Sequence, residues 1–282
     1  MNIVYLIIHY NNTAALKNTL KNFIDFGVRA ADIVVLDNGS DHDSRKRLQL
    51  ISNMEKIEVV YEDENIGWGA AINKFLDSNI RKYGKILAIS AHDSIFVRFD
   101  PKVIEKEFSN EGVVVVSPDY PEPQRCAYSV PQGFRCFRQK EACRQEVIIG
   151  HATLCFVDSE RIKSVRYDEN FFIYGCESEI FLRIHDAGYR SIITNEIIVE
   201  NPATDTDSEF RELIFSINSI YCAKIRGGFV GYLIRMMVVF LSLLNMKRLR
   251  DPRLLLARIN ALKFSLRSGG AGFKEWRRER HE

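Results

Sequence analysis

Four short apolar runs constrain this chain more than any other feature: residues 3–8 (IVYLII), 32–37 (DIVVLD), 57–61 (IEVVY) and 85–90 (KILAIS). The first two are apolar nearly throughout instead of alternating, the pattern of strands covered on both faces. Helical patterns separate them. Residues 14–26 carry Leu16, Leu20, Phe23 and Ile24 on one side, residues 45–54 read as a helix, and another opens after Asn65 and runs to Tyr83. Strand and helix alternating at this spacing predict an α/β fold, with a mainly parallel, Rossmann-like sheet and right-handed crossovers. Ligands of such sheets gather beyond the carboxyl ends of the strands. Asn11, Asp37 and Asp93 all stand at such ends.

Further strands are expected at 113–116, 152–157, 191–194 and 196–199, with an irregular stretch over 117–149. A loop of that length is usually functional. A polar break at 201–208 (NPATDTDS) precedes a helix over 209–224. The expected organisation is therefore a catalytic domain over 1–208 and a C-terminal helical extension over 209–282.

The composition, 46% hydrophobic and 27% charged over 282 residues, is that of a folded protein and excludes disorder. Six cysteines form no C-x-x-C pair and read as reduced thiols, in keeping with a cytoplasmic location. The run 3–8 is too short for a secretory leader. A net charge of +2 hides an asymmetry: residues 247–282 hold 11 Lys/Arg against 4 Asp/Glu, leaving the remainder acidic. A basic tail points to an anionic partner surface. Its single interleaved aromatic, Trp276, offers no stacking platform, so nucleic acid is not expected. Residues 229–246 (FVGYLIRMMVVFLSLLNM) are apolar, interrupted by Arg235 and flanked by basic residues. That pattern fits a helix lying on an anionic membrane at the inner face. It fits equally a core helix of a C-terminal bundle, and the sequence leaves both open.

The stretch 167–190, YDENFFIYGCESEIFLRIHDAGYR, concentrates acidic residues at a helix start. With Ser178 as N-cap, Glu177 sits at the positive end of the helix, where a carboxylate is favoured. Glu179, Arg183 and Asp186 share one face at ion-pair spacing. Glu177 is then the carboxylate left to face a cleft.

HYNN after the first run, LDNGS after the second, NIGWGAAIN opening a helix, AHDS after the fourth and FFIYGCESEIFLRIHDAGYR occur in this order. Together they resemble glycosyltransferase family 2, the GT-A fold of inverting, nucleotide-sugar-dependent enzymes, and within it the bacterial rhamnosyltransferase-like members. The resemblance implies that Asp37 contacts the nucleotide base, that Tyr10 and Asn11 line the same pocket, and that Asn65, Gly67, Gly69 and Asn73 close under the donor. Asp93 matches the last aspartate of the metal-binding D-x-D, implying Mg²⁺ or Mn²⁺, while Ala91 takes the first place. Glu177 matches the catalytic base within the stretch Cys176-Glu177-Ser178-Glu179. A metal-binding His expected after Val199 is replaced by Glu200 and Asn201. The implied function is transfer of rhamnose or a hexose from a dTDP- or UDP-sugar to a glycan or lipid-linked acceptor in polysaccharide biosynthesis. The alternative, motivated by Ala91 and the missing His, is an inactive GT-A scaffold in a glycan-assembly complex.

Overall fold

The computed structural model describes residues 2–79, 85–121, 128–129, 144–151, 153–201, 208–244 and 251–281. The chain divides into two compact units. Unit 1 comprises Met1–Ile66, Ala70–Tyr167 and Ile180–Pro202; unit 2 comprises Gly67–Gly69, Asp168–Glu179 and Ala203–Glu282.

Unit 1 is built on a ten-stranded sheet. Its strands are β1 (Ile3–His9), β2 (Ile33–Asn38), β3 (Glu58–Glu62), β4 (Ile86–Ala91), β5 (Ile95–Arg98), β6 (Val113–Asp119), β7 (Tyr128–Ser129), β8 (Gln145–Ile149), β9 (Leu154–Asp158) and β10 (Arg190–Glu200). They lie in the order β3-β2-β1-β4-β9-β6-β10-β8-β7, with β5 paired to β10. The half β3-β2-β1-β4 is wholly parallel, as the alternation of strands and helices predicts. β9 runs antiparallel to both β4 and β6, so the other half is mixed.

Every residue of β1 and β2 is buried, consistent with their unbroken apolar runs. The helices between the parallel strands are α1 (Thr13–Asp25), α2 (His42–Glu55) and α3 (Trp68–Asn79). Local chemistry starts two of them: Asn12 caps α1 through Ala15 N–H, and Asp41 caps α2 through Ser44 N–H. Leu16, Leu20 and Phe23 of α1 are buried, whereas Ile24, expected with them, is 37% exposed. Tyr83, the expected end of α3, lies outside the described residues.

Three readings need correction. The irregular stretch 117–149 contains the end of β6 and the antiparallel pair β7–β8; residues 122–127 and 130–143 fall outside the described residues. The two expected strands at 191–194 and 196–199 are one strand, β10, with a register shift between Thr194 and Ile198. The irregularity includes Asn195, the one residue left between the two expected strands. Finally β5 and α4 (Pro101–Phe108) lie where no element was expected. α4 starts on Asp100, whose side chain accepts from Lys102 N–H, with Pro101 at the first helical position. α5 (Ser159–Val165) follows β9.

Unit 2 is helical. It holds the first turn of α6 (Cys176–Asp186), then α7 (Ser208–Leu241), α8 (Pro252–Arg267) and α9 (Phe273–His281). Its core gathers Phe172, Leu213, Ile214, Ile217, Phe264 and Phe273. α7 is broken at Gly228, whose φ of 58° and ψ of −150° are not helical. The break folds the second arm against the first so closely that a Cβ on Gly231 would stand 2.3 Å from the Ala223 carbonyl oxygen.

Candidate active site

The carboxyl ends of β1 and β2 are tied together by side chains of their own loops. Asn11, at a φ of 58°, donates its backbone N–H to Ser40 Oγ at 2.9 Å and accepts Asp41 N–H on Oδ1 at 2.8 Å. Ser44 Oγ donates to Asn11 O at 3.0 Å. Asn11 therefore holds the LDNGS turn in shape. Gly39 is required in that turn: its φ is 75°, and a Cβ would overlap the Glu64 backbone. Tyr10 is 43% exposed.

Asp37 is fully buried at the end of β2. Its Oδ2 accepts from Arg45 Nε at 3.0 Å and from Ser40 N–H at 3.3 Å. Its Oδ1 has no hydrogen-bond partner among the described residues. A buried acceptor without a donor is costly. The Arg45 guanidinium lies 5.8 Å from the centre of the Tyr61 ring. These two residues and His42 line an open groove of about 530 Å³. A neighbouring groove of about 570 Å³ runs between α1 and α2 and includes Asn11.

The residues of NIGWGAAIN are occupied within the protein. Asn65 Oδ1 accepts from Asn38 Nδ2 at 3.1 Å. Asn73 is buried and brackets the Tyr167 peptide, donating to its carbonyl and accepting its N–H, each at 3.0 Å. Gly67, at a φ of 94°, passes so near Phe172 that a Cβ would come within 2.6 Å of its carbonyl oxygen. Gly69 is buried in the first turn of α3. These residues shape the loop directly, whether or not a donor is bound.

Asp93 stands half-buried two residues beyond β4. Its Oδ1 accepts from Asn201 Nδ2 at 3.1 Å. Asn201 Oδ1 in turn accepts from Ser94 Oγ and Thr153 Oγ1, each at 3.3 Å. Thr153 Oγ1 lies 2.8 Å from Tyr120 OH, and the Tyr120 ring stacks on His151 at 4.1 Å. This polar chain joins the ends of β4, β6, β9 and β10. Thr153 and Tyr120 were not legible in the sequence, because four separate strands deliver the members. His9 and His92 meet edge to face at 5.4 Å. Burial, and secondarily His92, lower the pKa of His9 to about 3, so it is a neutral ring at working pH.

Among the described residues no three His, Cys, Asp or Glu side chains converge as a metal cluster. One accessible carboxylate, Asp93, nevertheless fits a Mg²⁺ or Mn²⁺ ion that takes its remaining ligands from phosphates and water.

In unit 2, the chain approaches α6 through a tight bend: Phe172, Tyr174 and Gly175 all have positive φ. Asn218 of α7 holds it, its Nδ2 directed at the carbonyls of Phe171 (3.0 Å), Ile173 (2.8 Å) and Tyr174 (2.7 Å). Helix α6 begins at Cys176, so Ser178 is an exposed residue of its first turn and not its N-cap. Gly175 supplies the first carbonyl, accepting from Glu179 N–H at 3.0 Å. Glu177 Oε2 accepts from Gly175 N–H at 2.8 Å. Burial raises the Glu177 pKa above its ordinary value, opposed by hydrogen bonds from its own backbone N–H, the Cys176 side chain and Gly175. Glu179 is 2% exposed and pairs with Arg226 at 3.3 Å, a partner that helical spacing to Arg183 did not suggest.

Residues 5–158, just over half of the chain, match the family described as "Glycosyl transferase family 2". The match ends before Glu177. No curated protein matches the chain. The fold is similar to that of the mannosyltransferase PcManGT from Pyrobaculum calidifontis in complex with GDP-Man and Mn²⁺, at 16% identity and a TM-score of 0.59, covering 94% of this chain and 75% of that one. It is also similar to GalNAc-T7 with UDP, GalNAc and Mn²⁺, at 15% identity and a TM-score of 0.57, covering 78% of this chain and 51% of that one. Residues 1–349 of S. aureus TarS align at 14% identity and a TM-score of 0.52, covering 93% of this chain and 81% of that one. At these identities the likeness establishes the GT-A fold.

Proposed function

The chain belongs to glycosyltransferase family 2, and from that premise we propose that it transfers one sugar, with inversion, from a nucleotide donor to a hydroxyl of a glycan or lipid-linked acceptor. The feature that supports this reading is Glu177, a carboxylate at the position that the family resemblance assigns to the base, with a pKa raised by burial. A general base works best when its pKa approaches the operating pH. In a single displacement at the anomeric carbon, Glu177 removes the acceptor proton while the sugar passes through an oxocarbenium-like state.

Donor binding falls to the loops after β1, β2 and β4. Asp37, which the family resemblance assigns to the nucleotide base, would offer a carboxylate oxygen to a base that presents a ring N–H, as uracil and thymine do at N3. Rhamnose from a dTDP donor is the first candidate and a UDP-hexose the second. Asp93 would hold a divalent cation, which when bound neutralises charge on the departing diphosphate. The Mn²⁺ of the similar mannosyltransferase and GalNAc-T7 structures supports a divalent cation.

The test is purified protein with Mn²⁺ and a panel of dTDP-, UDP- and GDP-sugars, with product detection. The expected result is transfer from one donor class that Glu177→Gln lowers by about 10²–10⁴-fold. Full transfer by that variant overturns the base assignment. Ala91 and Asn201 favour one rival, an inactive scaffold. Calorimetry decides it: no binding of Mn²⁺ or nucleoside diphosphate selects the scaffold.

A further inference from the structure

Beyond the Gly228 break, the second arm of α7 presents two contrasting sides. Tyr232 and Val239 are buried, and with Met236 and Leu243 they pack on Ile220 and Leu262 of unit 2. At about 100° per residue these four positions fall within a sector of roughly 60°. Eight large apolar side chains between Phe229 and Leu241 are instead exposed, from Phe229 at 72% to Val238 at 46%. They occupy one continuous arc of about 180°, centred on Leu233 and Met237 and opposite the packed sector. Leu244 adds a further exposed apolar group at 71%. Arg235 lies at the edge of the arc. This is not the all-round apolar surface of a core helix, and an exposed patch of this extent marks an interaction site.

Length and charge identify what covers it. The arm from Phe229 to Leu241 has 13 residues and is about 20 Å long, against about 30 Å for a hydrocarbon core. One side of it is fastened to protein, so lipid cannot surround it. It therefore fits lying in an interface and not spanning one. Residues 213–250 contain six Lys/Arg and no Asp or Glu. An exposed apolar arc within a stretch of sequence that holds cations and no carboxylates complements acyl chains beneath anionic headgroups. We propose that the arc from Phe229 to Leu244 is a monotopic docking surface for an anionic bilayer. The docked bilayer would be the inner face of the cell membrane.

The experiment is flotation of the full chain with vesicles of phosphatidylcholine plus phosphatidylglycerol, and with phosphatidylcholine alone, beside light scattering without lipid. The expected result is a monomer that floats with the anionic vesicles, with recovery reduced by salt. Leu233→Glu with Met237→Glu should lower partition by more than about tenfold while leaving circular dichroism and nucleoside diphosphate binding unchanged. Three results overturn the proposal: no flotation with either vesicle, equal flotation with both, or a dimer in solution that the double substitution dissociates. Each readout is independent of sugar transfer, so failure here leaves the transferase reading standing.

Discussion

Asn201 Nδ2 donates to Asp93 Oδ1 at 3.1 Å across 108 positions of chain, fixing the carboxylate that follows β4. Glu200 and this Asn stand where the family resemblance expects a metal-binding histidine. Asn201→Ala is expected to weaken binding of nucleoside diphosphate with Mn²⁺ by about tenfold, the worth of one charge-assisted hydrogen bond. Isothermal titration of both proteins checks this, with urea midpoints to separate affinity from stability.

Glu177 ties stability to pH in a direction opposite to most carboxylates. Its folded pKa is raised, so between the unfolded and folded values the native state holds more protons. The stability this group contributes is present below the unfolded pKa and lost as pH rises through the folded one. Glu177→Gln should therefore melt higher than the parent near neutral pH, with the difference vanishing in acid. Thermal melts across pH measure it. The acid limb of kcat/KM should lie above the ordinary glutamate value of 4.5.

Arg45 neutralises the fully buried Asp37, keeping about a third of its own side chain in water. Arg45→Ala leaves a buried carboxylate without its partner. A loss of about 2–4 kcal/mol is expected, toward the lower end of such cases because Arg45 is partly hydrated. Urea denaturation checks the magnitude. Asp37→Asn with Arg45→Ala should recover most of it.

Asn218 secures the bend that leads into α6. Asn218→Ala strips hydrogen bonds from the carbonyls of Phe171, Ile173 and Tyr174 and from the N–H of Phe273. The expected cost is about 2–4 kcal/mol, and the residues at positive φ are then free to relax. Transfer should fall through kcat, with nucleoside diphosphate affinity unchanged. Asn218→Asp, which keeps the size but loses the donor, is expected to do no better.

The parallel half of the sheet was legible from the sequence. Strands β1, β2 and β4 announce themselves because both faces are covered, and a run that must be apolar at every position has few alternatives. The sequence also directed attention to the loops after them, because a parallel sheet places its ligands at those ends. Short elements escaped, as β5 with four residues, α4 with eight and β7 with two did.

Side-chain partners were the larger loss. Periodicity offered Glu179 only neighbours on its own helix, whereas Arg226, 47 residues on, also pairs with it. The chain Asp93–Asn201–Thr153–Tyr120 draws on four strand ends, and the bend before Glu177 is held by Asn218, 44 residues beyond Tyr174. Likewise the apolar character of 229–246 was plain, but which side of that helix meets protein and which is left bare was decided by the Gly228 break. A linear pattern reports how much of each residue must leave water. It carries no information on which distant group will satisfy a buried charge or cover an apolar face, because that depends on how the backbone returns through space.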